Sequence, residues 1–251
     1  MLLQNNSRQA ILVDGGGLYS PHFDVGERLL APALGLLGVD ALSAIVLTHD
    51  HPDHRKGLYF VLEHFPVEQF WAGSTLADLD PRLRQIVVAK GIDFHQITTG
   101  WVAADLWKDG TMMTFRAAGP GLDKNDASLA VYLQNGADGM LLTGDLEAVG
   151  VGQLLASGLP GPVSLLKLPH HGSRYSGSER LIEQLNPRYC LVSAGYCNRY
   201  RLPAAKLVAY LAENEIPLFR TDLQGTVLAL LTKDGWHLSH WQVGLFVDSC
   251  P

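Results

Sequence analysis

The sequence predicts a mixed α/β fold with two β-sheets, and three observations carry that expectation. Short aliphatic or β-branched runs at 10–14, 44–48, 128–133, 140–143, 164–168 and 190–193 each end at polar or glycine-rich sequence, the pattern of buried strands. Amphipathic stretches at 27–37, 58–64, 77–89, 178–185 and 204–213 lie between them and read as helices, the last two preceded by the turn residues Gly177 and Pro203. Around 94–117 and 217–241 several strands follow one another without helices, which points to antiparallel pairing and two sheets rather than one doubly wound sheet.

With 251 residues, 47% of them hydrophobic and 18% charged, the chain is long enough to bury a substantial core as one domain. No run approaches the roughly 20 apolar residues that span a bilayer, and the start Met1-Leu2-Leu3-Gln4 lacks the basic and apolar regions of a signal peptide. Cys190, Cys197 and Cys250 include no C-x-x-C pair, so they read as one buried thiol and two incidental ones rather than a disulfide framework or zinc ribbon. The net charge of -6 argues against a broad basic surface for nucleic acid, although divalent metals would reverse the field inside an acidic site. No G-x-G-x-x-G loop is present, and no organic cofactor is expected.

The densest chemistry is Thr48-His49-Asp50-His51-Pro52-Asp53-His54, between the strand at 44–48 and a helix expected to open near Gly57. Imidazole and carboxylate are the ligands of borderline metals such as Zn²⁺ and Mn²⁺. His49 and His51, two apart at a strand end, face one side, while Asp53 and His54, displaced by the turn, reach a second metal. Leu141-Leu142-Thr143-Gly144-Asp145 ends a second strand, where Asp145 either bridges two metals or caps a helix. Leu168-Pro169-His170-His171-Gly172-Ser173 ends a third. Adjacent side chains at a strand end diverge, so His171 is taken as the ligand and His170 as the group that contacts substrate or gives a proton to the leaving group. Asp14, before Gly15-Gly16-Gly17, either braces the ligand histidines or belongs to a tight turn.

These motifs together resemble the metallo-β-lactamase superfamily, whose hallmark H-x-H-x-D-H is matched by His49, His51, Asp53 and His54. Segments 11–16, 25–27, 141–145, 167–173, 195–200 and 221–225 resemble, in order, the C-terminal hydrolase domain of ComEC-type DNA-internalisation competence proteins. The resemblance implies an αββα sandwich of two mixed β-sheets flanked by helices. It implies two divalent metal ions, zinc or manganese, held by His49, His51, Asp53, His54, Asp145 and His171. Catalytic roles fall to Asp53, which orients the nucleophile or holds the second ion, and to His170, which protonates the departing oxygen. It further implies a nuclease or phosphodiesterase acting on DNA, degrading the strand that is not transported, in a domain that follows a membrane channel. Residues 1–251 then read as a single domain of a longer membrane protein, lacking a preceding Asp-Val-Gly-Gln-Gly-Asp-like strand and tethered at the bacterial inner membrane.

Three positions depart from the pattern. Lys124-Asn125-Asp126-Ala127-Ser128 stands where most of the superfamily has a histidine, Arg55-Lys56 replaces a small apolar pair, and Leu202 replaces a histidine. Two alternatives therefore accompany the nuclease expectation: a small-molecule metallo-hydrolase, which suits the acidic charge, and a non-catalytic domain with a vestigial metal site.

Overall fold

A computed structural model describes residues 1–17 and 22–241, which divide into two compact units, Met1–Leu129 and Ala130–Pro251. The strands form two large mixed sheets flanked by helices, as the sequence predicts. One has the order β1-β2-β3-β4-β5, the other β12-β11-β10-β9-β8-β7-β6, and a two-stranded ribbon β13-β14 follows.

In the first unit, β1 (Leu2–Gln4) pairs antiparallel with β2 (Ala10–Val13). The strands β3 (Leu42–Leu47), β4 (Val67–Ala72) and β5 (Asp93–Gln96) then add in parallel. The helices α1 (Ala31–Leu36), α2 (Pro52–His64) and α3 (Pro81–Ala89) supply the crossovers. Leu34, Leu58, Val61, Leu62, Leu83 and Val87 from these helices pack in one core with Leu12, Ile45, Leu47 and Phe70 from the strands. The alternate strand residues Ile11, Val13, Ala44 and Val46 are buried as well, which is why β2 and β3 read as unbroken apolar runs. The hairpin β6 (Gly100–Ala103) and β7 (Thr111–Arg116) is antiparallel, as expected, whereas β5 is not, because it continues the parallel crossovers.

Two helices start elsewhere than the apolar period suggests. α2 begins at Pro52, not near Gly57, because proline at the first helical position costs no hydrogen bond and Asp53 suits the positive end of the helix dipole. α3 begins at Pro81, with the Asp80 carboxylate accepting from the amides of Arg82 (3.0 Å) and Leu83 (3.3 Å); residues Leu76–Asp78 form a separate 3₁₀ turn.

In the second unit, β8 (Leu129–Asn135) and β9 (Asp138–Leu142) form a hairpin, and β10 (Leu165–Lys167), β11 (Tyr189–Val192) and β12 (Leu218–Arg220) add in parallel. The crossover helices are α4 (Ala148–Ala156), α5 (Ser178–Leu185) and α6 (Ala205–Glu213). A short helix α7 (Thr221–Gln224) interrupts the expected strand run before the antiparallel ribbon β13 (Thr226–Thr232) and β14 (Gly235–Trp241). Cys190 is the expected buried thiol, its pKa pushed up to about 12 by burial. Cys250 lies outside the described residues. No helix among the described residues is long and apolar enough to cross a membrane.

Candidate metal centre

In the first unit the sharp change from β3 to α2 gathers the histidine-rich loop. β3 ends at Leu47, His51 is the N-cap of α2, and Asp53 and His54 lie on its first turn. His54 shares the inward face with Leu58, Val61 and Leu62 and is buried, while Asp53 is exposed. The helix reaches this position by backbone contact: Gly15 N donates to His54 O at 2.6 Å and Gly57 N to Gly16 O at 3.0 Å. A Cβ on Gly57 would lie 2.1 Å from Gly15 O, so this approach requires glycine.

Asp14, in a left-handed conformation (φ 56°), aims its carboxylate into the loop. Its Oδ1 accepts from Thr48 N (2.8 Å), and its Oδ2 accepts from Thr48 Oγ1 (2.8 Å) and His54 Nδ1 (2.8 Å). Burial pushes this carboxyl up, but the His54 imidazole and the Thr48 amide outweigh it and hold Asp14 below the ordinary carboxylate value. With its Nδ1 proton committed to Asp14, His54 presents Nε2 as a lone pair. The Thr48 hydroxyl, having donated to Asp14, accepts from His49 Nδ1 (3.2 Å), and His49 Nε2 lies 3.0 Å from His51 Nδ1. The ring of His49 lies 4.5 Å from that of His51 and 4.2 Å from that of His54, so the three imidazoles expected together are together.

Asp50 leaves the cluster. It pairs with Arg55 (3.2 Å) and accepts from Asp80 N (2.7 Å). Arg55 also holds Asp80 (3.0 Å) and Tyr59 Oη (3.1 Å), and Tyr59 donates to Asp80 (2.9 Å). Arg55, a departure from the family pattern, thus ties the ligand loop to the start of α3. Lys124, in the segment that replaces the missing histidine, reaches Asp50 O at 3.4 Å.

In the second unit β9 gives way to Thr143-Gly144-Asp145. Asp145 is buried and is not a helix cap: α4 starts at Ala148 and its N-cap is Glu147. The histidine pair is not on a strand end. β10 stops at Lys167, and Pro169–Gly172 form a 3₁₀ turn with His170 (φ 46°) and His171 (φ 54°) both left-handed. The expected divergence of adjacent strand residues is therefore replaced by a turn that brings both rings toward Asp145. His171 Nδ1 donates to Ser193 O at 2.7 Å, which leaves Nε2 as a lone pair 3.4 Å from Asp145 Oδ2. His170 Nε2 lies 3.9 Å from the same oxygen, and its Nδ1 lies 2.9 Å from Glu147 Oε1 without hydrogen-bond alignment.

Sequence reasoning missed Thr48 and Glu147. Thr48 begins the histidine motif and Glu147 stands two residues past Asp145, so adjacency was the available signal. Asp53 and His54 in the first unit, and Asp145 and His171 in the second, are candidate metal-binding residues with the nitrogen and carboxylate donors that a divalent ion takes.

A family model described as "Metallo-beta-lactamase superfamily" matches residues 1–195. The chain is 30% identical over 234 residues to "ComE operon protein 3" of Bacillus subtilis (strain 168), covering 88% of this chain and 30% of that protein. It is 30% identical over 244 residues to "Uncharacterized protein YcaI" of Escherichia coli (strain K12), covering 95% and 29%. It is 28% identical over 222 residues to "Competence protein ComA" of Neisseria gonorrhoeae, covering 85% and 29%. The chain thus spans less than a third of the length of these relatives.

Proposed function

Because the chain belongs to the metallo-beta-lactamase superfamily, we propose that it is a binuclear metal-dependent phosphodiesterase, a nuclease domain of a DNA-uptake protein that degrades the strand not transported. The observation that carries the reading is the pair of imidazoles whose Nδ1 protons are committed, His54 to Asp14 and His171 to Ser193 O, so that each offers Nε2. In the second unit that nitrogen and Asp145 Oδ2, both acceptors, stand 3.4 Å apart, a contact that calls for a cation or proton between them. The donor set of nitrogens and carboxylates fits zinc or manganese.

The residues that would hold the ions are His49, His51, Asp53, His54, Asp145 and His171. Two such ions supply Lewis-acid stabilisation of charge on a phosphoryl group when bound. Asp53, exposed on the first turn of α2, accepts a hydrogen bond from the attacking water or holds the second ion. His170, with Glu147 beside its Nδ1, delivers a proton to the departing oxygen. DNA as substrate is supported by the competence protein among the relatives, and attachment to a membrane channel by their roughly threefold greater length. The family match crosses the boundary between the two units, which supports one domain built from both.

Cleavage of labelled single-stranded DNA with Mn²⁺ or Zn²⁺, with a His49→Ala, Asp145→Ala double variant as control, tests the reading. Metal-dependent cleavage that vanishes in the variant is expected. Two equivalents of bound metal without cleavage would favour a small-molecule substrate, the reading that the net charge of -6 suits; absence of bound metal would favour a non-catalytic domain.

A further inference from the structure

The second unit exposes three tyrosines, Tyr175, Tyr196 and Tyr200, with Tyr175 at 60% and Tyr200 at 67% of full exposure. Two of them carry a guanidinium on one face: Arg174 Cζ stands 4.8 Å from the Tyr175 ring centroid and Arg199 Cζ 4.6 Å from that of Tyr200. Arg199 also donates to the Tyr200 hydroxyl. Both pairs are anchored to the His170–His171 turn. Tyr175 follows it closely, its amide donating to Ser173 Oγ at 3.3 Å. The segment holding Tyr200 is pinned to the turn at both ends, by His171 Nδ1 to Ser193 O (2.7 Å) and by Ala204 N to Gly172 O (2.9 Å). Within it Asn198 braces Leu202 through both amide atoms, at 2.8 and 2.9 Å. A ten-residue span anchored at both ends reaches at most about 17 Å from its anchors, the length of about five stacked bases.

We propose that the Arg174–Tyr175 and Arg199–Tyr200 pairs form a stacking platform that seats the unpaired bases of a single-stranded nucleic acid beside the histidine turn; the proposal deepens the nuclease reading and rests on it for the identity of the site. An exposed ring offers its face to any base, and stacking is sequence-tolerant, whereas bases in a duplex are already stacked on one another. The guanidinium on each ring adds a cation for the ring face and donors for a neighbouring phosphate. A chain of net charge -6 offers no broad basic field for DNA, so local contacts of this kind would add to its affinity. Tyrosine and arginine also anchor protein partners, but the tether of both pairs to the turn bearing His170 and His171 favours the substrate.

Fluorescence anisotropy of a labelled oligodeoxythymidylate, an abasic strand and a duplex of equal length, with the full chain in chelator, tests the platform. The Tyr175→Ala, Tyr200→Ala double variant is expected to bind oligodeoxythymidylate roughly tenfold or more weakly, while the abasic strand stays within about twofold and the Tyr175→Phe, Tyr200→Phe variant binds like the wild type. Equal thermal melting of the three proteins is expected, so that the loss reads as contact and not unfolding. An alanine variant that binds oligodeoxythymidylate as the wild type does, or that loses the abasic strand equally, overturns the proposal. So does a wild-type chain that binds none of the three. Tyrosine-dependent binding without cleavage in the metal-supplemented assay would sustain the platform and remove the nuclease reading, and cleavage with an unchanged KM in the alanine variant would do the reverse.

Discussion

The two units orient imidazoles in different ways. In the first, His54 sits on a regular helix and is turned by a side chain, the Asp14 carboxylate, which also holds Thr48 and through it His49. In the second, His170 and His171 sit on left-handed backbone, and His171 is turned by a main-chain group, the Ser193 carbonyl. The first device concentrates dependence on one buried carboxylate and on close helix docking. The second rests His171 on a main-chain carbonyl and stores conformational strain where the imidazoles are presented.

The largest expected effect is on the docking. Gly57→Ala would drive a Cβ into the Gly15 carbonyl, whose backbone cannot yield as a flexible side chain would, and should cost about 3 kcal/mol in urea unfolding. A tolerated alanine would mean that the first unit does not depend on this approach. Next is the carboxylate: Asp14→Asn should lower metal affinity by between about 10- and 100-fold in a chelator competition titration, whereas Ser193→Ala, which keeps the carbonyl that holds His171, should stay within about twofold. Equal losses at the two positions would erase the contrast.

A smaller effect is expected at Asp80, which braces the histidine loop through Arg55 and caps α3. Asp80→Ala should cost about 1–2 kcal/mol at neutral pH. Burial pushes this carboxyl up, but the Tyr59 hydroxyl, the Leu83 amide and the Arg55 guanidinium outweigh it and hold the group below its ordinary value. A depressed carboxyl stabilises the fold at pH above the unfolded value of about 3.9. The gap between wild type and variant should therefore be full above that pH and shrink as the pH falls through the folded value; a gap independent of pH in acid unfolding would deny the ionic part. Smallest is the strain itself. His170→Gly should raise stability by roughly 1 kcal/mol, read as a higher melting temperature, while removing the group assigned to the leaving oxygen. A variant that melts lower would show that the contact with Glu147 outweighs the backbone cost.

Much of this was legible in the sequence because the residues concerned are close together in it. The spacing of His49, His51, Asp53 and His54, and the endings of the apolar runs before Asp145 and His170, located both groups without reference to distant chain. The start of α2 is not legible from apolar periodicity, which begins only at Leu58, whereas Pro52 is the first helical residue. The direction of the histidine pair was not legible, since no side-chain pattern reports left-handed φ at residues other than glycine and asparagine. Nor was the pairing of β5, because the run around Phe94 is too short for alternation to specify a parallel neighbour. The role of Arg55 depends on Asp80, 25 positions away, and reads locally as a deviation.

From β2 to β5, and again from β8 to β12, each strand lies beside its predecessor in the chain. No pairing within either run waits for a strand beyond the next one in the chain, so each run can grow strand by strand during synthesis. The loop bearing His49, His51 and His54 can then be shaped before the ribosome has added His170.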